Sequence, residues 1–169
     1  YKVNLSCCKN ITDVSMLGNV HTLDLSNTNI TDVSMLGNAH TLNLLGCKHI
    51  TDISNLKNIH TLILSGCRKI KDVSMLNKVH TLDLHTNISN IFNISMLGNV
   101  YDLNLSNCYK ITDFSMLGNV HTLNLSNTKI TNVSMLENIH TLNLSDCINI
   151  TNVSMLGNAH TLNLLGCKH

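Results

Sequence analysis

Apolar positions recur along the chain in two alternating rhythms. Each phrase opens on an aromatic or imidazole residue, at Tyr1, His21, His40, His60, His80, Tyr101, His121, His140 and His160, and its third and fifth positions are apolar, as in Leu23 and Leu25. This period-two alternation predicts a short strand with one buried face. Farther on come an isoleucine (Ile30), a second aliphatic residue or phenylalanine (Val33; Phe114) and a leucine (Leu36), spaced by three. That spacing predicts a turning backbone or short 3-10 pieces. The serine at Ser15, Ser34, Ser54, Ser74, Ser95, Ser115, Ser134 and Ser154 is placed to cap the turn. A following Gly-Asn pair, as at Gly18 and Asn19, suits the bend into the next strand.

The openings divide the chain into eight full units, 1–20, 21–39, 40–59, 60–79, 80–100, 101–120, 121–139 and 140–159, and a partial unit 160–169, all in one domain. A unit of 19 to 21 residues cannot bury its own apolar positions. Successive units must therefore stack, each lending its strand to one continuous parallel sheet with rungs about 4.8 Å apart. The absence of proline is compatible with unbroken backbone ladders. The start on Tyr1 and the stop inside a repeated phrase suggest a piece of a longer array.

The phrase LxxVHTLxLSxTxITDVSxL resembles a leucine-rich repeat over essentially all 169 residues. Where that superfamily carries Asn or Cys, this chain has Cys8, Thr28, Cys47, Cys67, Asn87, Cys108, Thr128, Cys147 and Cys167. The ITDVS wording is similar to the short repeats of the internalins, of a cytosolic phosphatase-regulating family, and of expanded arrays in giant viruses of amoebae. The resemblance implies a curved, right-handed solenoid whose concave parallel sheet binds a protein partner without catalysis, with turns or short 3-10 segments on the convex side. The units are shorter than most in that superfamily, and neither end carries a capping motif; uncapped ends predict self-association as an alternative.

Unit length and the inward polar residue vary together. One residue separates Thr28 and Thr128 from the next isoleucine, two follow each cysteine, and three follow Asn87. Each inward group is therefore expected to bond different backbone groups and so to suit a different loop path.

The odd count of seven cysteines, without metal-type spacing, predicts buried structural thiols in a reducing, cytoplasmic setting, with Cys7 exposed outside the column. NxS/T sequons within the alternating phrase, as at Asn4, Asn29, Asn124 and Asn143, point the same way. A net charge of +1 with 12% charged residues argues against nucleic acid and anionic membranes as partners. No apolar run is long enough to span a bilayer, and no signal peptide is recognisable. Phosphate-binding fingerprints are absent, every Ser and His reads as a copy of a repeat residue, and no enzyme or cofactor is expected.

The seven phrase-opening histidines should form a file beside the sheet, filling a bend, with a metal-binding or pH-responsive role as the sharper alternative. The methionines before the turn leucine, from Met16 to Met155, read as core filler or as a partly exposed contact ridge. Strand positions two, four and six should be exposed on the concave side, including Ser26, Ser65 and Ser106. Most residues there are small and neutral. The repeated Thr raised an ice-binding reading, against which the Asn, Asp and Leu interruptions and a curved sheet both argue. The candidate binding residues are the departures and their neighbours: Ile63, Thr81, Asp83, His85, Asp102 and Asn104. A noncatalytic interaction scaffold is the reading that follows; a purely structural or self-associating array is the alternative.

Overall fold

In the computed structural model, described for residues 1–86, 91 and 93–168, every phrase contributes one three-residue strand. These are β1 (Lys2–Asn4), β2 (Thr22–Asp24), β3 (Thr41–Asn43), β4 (Thr61–Ile63), β5 (Thr81–Asp83), β6 (Asp102–Asn104), β7 (Thr122–Asn124), β8 (Thr141–Asn143) and β9 (Thr161–Asn163). They form a single parallel sheet in chain order. Register is strictly in phase, Leu23 opposite Leu42 and Leu42 opposite Leu62, because slipping by one residue would turn every leucine outward. Opposite the sheet run 3-10 turns such as Ser34–Leu36 and Ser95–Asn99, and among the described residues no α-helix occurs. Among the described residues no helix is long and apolar enough to cross a membrane.

The core is one continuous cluster between the sheet and the turns. Leu23, Leu25, Ile30 and Leu36 of the second unit are fully buried, and their counterparts repeat this through the middle of the stack. Burying a leucine-sized side chain is worth about 1.5–3 kcal/mol, and here most of that gain depends on the neighbouring unit. The terminal units have a neighbour on one side only. Val3, Leu5 and Leu17 in the first and Leu164 in the last are consequently half-buried, and Leu162 is exposed.

The capping expectation is corrected. The side chain two residues before each serine caps the turn, with Asp13, Asp32, Asp52, Asp72, Asn93, Asp113, Asn132 and Asn152 each accepting the serine amide N–H at 2.8–3.0 Å. The serine itself is the first residue of the 3-10 turn, so its N–H has no partner within the turn and the preceding Asp or Asn supplies one. The serine amide, then its hydroxyl, holds the Asp13, Asp32, Asp52 and Asp72 carboxyls below the ordinary value; at Asp113 the hydroxyl leads.

The column of inward polar groups divides as its loop lengths do. Thr28 and Thr128 hydroxyls donate to carbonyls of their own units, Leu25 and Leu125, each at 2.7 Å. Cysteine thiols instead reach back one unit: Cys47 to Leu25, Cys67 to Leu44, Cys147 to Leu125 and Cys167 to Leu144, each at 3.1 Å. Asn87 lies outside the described residues. Burial pushes the Cys67 and Cys108 thiols up to about 12, as expected for inert structural groups. Cys7 is exposed, as anticipated. Cys8 was expected to be buried and is exposed, lying in the outermost unit of the described stack beside the edge strand β1.

Candidate functional site

The outward side of the sheet is built from a second ladder of side-chain caps. In every unit but the fourth, residue four accepts the N–H of residue six: Asn4, Asp24, Asn43, Asp83, Asn104, Asn124, Asn143 and Asn163 all do so at 2.8–3.1 Å. These carboxyl and amide groups therefore close the strand ends, where the chain leaves the sheet and its donors would otherwise go unpaired. Residue seven then turns left-handed in every unit, at φ 53–86°. Gly, Asn and Asp occupy most of these positions, as that conformation favours; Cys7 and Thr86 are the departures.

The expectation that position six is exposed is corrected at three places. Ser26 and Ser106 are only 6% exposed and Ser65 0%, with the Ser65 hydroxyl held against Asp83 and His85 of the next unit.

β4 breaks the ladder. Ile63, half-buried, stands where every other unit has Asn or Asp, and it lies directly opposite Asp83. His85 stands where most units have Ser. The Asp83 Oδ1 atom accepts the His85 amide at 2.9 Å, the His85 Nδ1–H at 2.9 Å and the Ser65 hydroxyl at 2.9 Å. Ser65 Oγ also lies 2.7 Å from His85 Nδ1. The side chains of His85 and Asp83 remain 33% and 26% exposed above the buried serine.

Although the repeat pattern shows no distinctive set of serine, histidine and acid, the fold brings one together here. Its geometry is not that of a proton relay. In a nucleophilic triad the histidine uses one ring nitrogen for serine and the other for the acid, whereas here Nδ1 faces both and the serine is sealed from solvent. The signal for this cluster in the sequence was His85 itself; Ser65 could not be recognised, being a normal repeat residue.

The remaining residues singled out flank this centre. Thr81 pairs with Asp102 across β5 and β6, and its hydroxyl lies 3.5 Å from Asp102 Oδ2. Asn104 sits opposite Asp83 and serves the cap ladder. Ile63, Thr81, Asp83, His85, Asp102 and Asn104 thus form one contiguous, half-buried patch over three strands.

The phrase-opening rings do form a file. His21, His40, His60, His80, Tyr101, His121, His140 and His160 stack with centroids 4.4–4.7 Å apart, and Nδ1 of His21, His40, His60, His80, His121 and His140 shares a hydrogen bond with the following threonine hydroxyl, at 3.2–3.4 Å. Partial desolvation, then the like charge of the flanking rings, lowers the proton affinity of His60 and His140. In parallel rings the lone pairs point side by side rather than toward a common centre. Among the described residues, no group of three or more His, Cys, Asp or Glu could hold a metal. The methionines resolve toward the ridge: Met16, Met35, Met96, Met116 and Met155 are exposed, and Met75 and Met135 are half-buried.

No protein-family model matches the sequence, and no curated protein matches it. Solved structures do. Internalin C2 from Listeria monocytogenes aligns over 96% of this chain and 80% of its own at 28% identity, with a TM-score of 0.78. Internalin F from the same organism aligns at 26% identity and a TM-score of 0.79, covering 96% of this chain, which spans about half (53%) of that one. The functional domain of InlJ, also from L. monocytogenes, shares the fold at 18% identity, a TM-score of 0.57, and coverage of 88% and 39%. With nine in-register strands, 3-10 turns and a leucine core matching the internalin structures over nearly its whole length, the chain is a leucine-rich-repeat protein of the parallel-sheet solenoid type.

Proposed function

We propose that this protein is a noncatalytic scaffold that binds a protein partner through its sheet face, centred on Ile63, Thr81, Asp83, His85, Asp102 and Asn104. One observation carries the reading: the cap ladder that the fold needs is interrupted at Ile63, where a partly exposed isoleucine replaces a structural Asn or Asp. Beside it, His85 and Asp83 add a fixed polar pair, so an apolar anchor and hydrogen-bonding groups share one patch. The internalin likeness supports a binding module. All seven cysteines are free thiols, which fits the proposed cytoplasmic setting.

The test compares capture of a cross-linked partner by the wild type with capture by Ile63→Asn and His85→Ser, which restore the common residues. Loss of capture in both, with unchanged melting, is the expected result; unchanged capture overturns the reading. Self-association is the second reading, favoured by the exposed Met16, Met35, Met96, Met116 and Met155 ridge. Sedimentation velocity over a wide concentration range separates the two.

A further inference from the structure

Loop length varies along the rim that follows the strand ends. The Thr28 loop is one residue shorter than the Cys8 and Cys47 loops on either side of it, and the shortfall leaves a notch of about 490 Å³. Lys9 forms one wall, Lys48 and His49 the other, and Asn27, Thr28 and Asn29 the floor. Asn29 Nδ2 donates to the Lys9 carbonyl at 3.0 Å and ties floor to wall. Gly46 borders the notch with φ +70°, and a Cβ there would lie 2.3 Å from Asn27 Oδ1, so the backbone passes close against that amide. Lys9, Lys48 and His49 are exposed; no carboxylate lines the notch, and among the described residues neither lysine is ion-paired.

The other threonine unit repeats the shape without the charge. Its notch, about 600 Å³, has Tyr109 and Ile148 as walls, and Lys129 is offset by Asp146. Shape thus comes from the short loop, and the excess of positive charge belongs to the Thr28 notch alone of the two.

We propose that the Thr28 notch binds a phosphate-type anion, gripped by the ammonium groups of Lys9 and Lys48 over the Asn27 and Asn29 carboxamides. Lysine is a point-charge partner for phosphate, and the carboxamides supply directional donors. The anion comes either from a small phosphorylated molecule or from a phosphorylated side chain on a protein. The site uses no residue of the sheet-face patch, so either reading can fail without the other.

The test is an amide chemical-shift titration of the full chain with sodium phosphate at constant ionic strength, chloride being the balancing salt. Saturable shifts confined to residues 9, 27–29 and 46–49 are expected, weakened about tenfold or more in the Lys9→Gln/Lys48→Gln variant and unaffected by Lys129→Gln. A second arm uses O-phosphoserine and a phosphoserine peptide. Tighter binding of the peptide assigns a protein source, and equal or weaker binding a small molecule. Shifts that rise linearly without saturating, that appear equally around Lys129, or that survive in the double variant overturn the proposal.

Discussion

Replacing Gly98 by alanine tests how closely the turn side of the stack is packed. Gly98 lies in the turn Ser95–Asn99, and a Cβ there would stand 2.2 Å from the Met116 carbonyl oxygen of the next unit, where ordinary contact begins at 3.4 Å. That oxygen belongs to the backbone, so the two rungs must separate by about 1 Å or the turn must distort. Gly157 occupies the same place in a later unit, and nothing lies within 4 Å of its added Cβ. Neither position has left-handed backbone, so the difference isolates the clash.

Overpacking of this kind costs about 1–3 kcal/mol. The lower conformational entropy of alanine in the unfolded chain returns about 0.4–1 kcal/mol. Lys57, Asn77 and Glu137 stand at the equivalent place in other units, so the stack can open there, which argues for the lower end of the range. A net loss of about 0.5–1.5 kcal/mol, with a urea slope of about 2 kcal/mol/M, lowers the midpoint by about 0.3–0.7 M. The assay is urea unfolding followed by circular dichroism, with amide exchange at Leu97 and Leu117 to locate the loosening between the two units. A Gly98→Ala midpoint within about 0.2 M of wild type, or an equal loss in Gly157→Ala, would refute the packing argument.

In native protein, a thiol reagent at pH 8 should label Cys7 and Cys8 rapidly, while Cys47, Cys67, Cys108 and Cys147 react only after denaturation; mass-spectrometric mapping checks this. Thr28→Val removes the buried 2.7 Å bond to the Leu25 carbonyl at constant shape and should cost about 0.5–1.5 kcal/mol in urea unfolding, whereas Thr22→Val should cost less. The depressed Asp13, Asp32, Asp52, Asp72 and Asp113 carboxyls add stability that is complete above their unfolded value and is lost as pH falls through the folded one. Changing them to Asn, as Asn93, Asn132 and Asn152 already are, should flatten that acid limb in a melting series from pH 5 to 2 while leaving neutral stability nearly unchanged. His60 and His140, also depressed, should add a separate loss as pH falls below about 6.5, and His60→Tyr, copying Tyr101, should reduce it.

The repeat pattern made the strands, the turns and the buried columns legible, because each is a periodic property read eight times over. The same periodicity located Ile63 and His85, since a departure stands out only against a regular column. It misassigned the turn cap to serine: the Asp or Asn two residues earlier is equally periodic, and only the direction of the Ser N–H shows which side chain it meets. It also placed Ser26, Ser65 and Ser106 in the light, because strict alternation was carried past Asp24, Ile63 and Asn104, where the strands stop.

For this protein, local chemistry along the chain was enough to establish a stacked parallel sheet, since a unit of about twenty residues has no other way to bury its leucines. Which groups meet between units required the fold. Ser65 joins Asp83 and His85 from a neighbouring rung, Lys9 and Lys48 face each other across a unit one residue shorter, and Gly98 matters through an oxygen eighteen residues away. These are distances across the stacking axis, and they depend on register and loop path, which no single unit encodes.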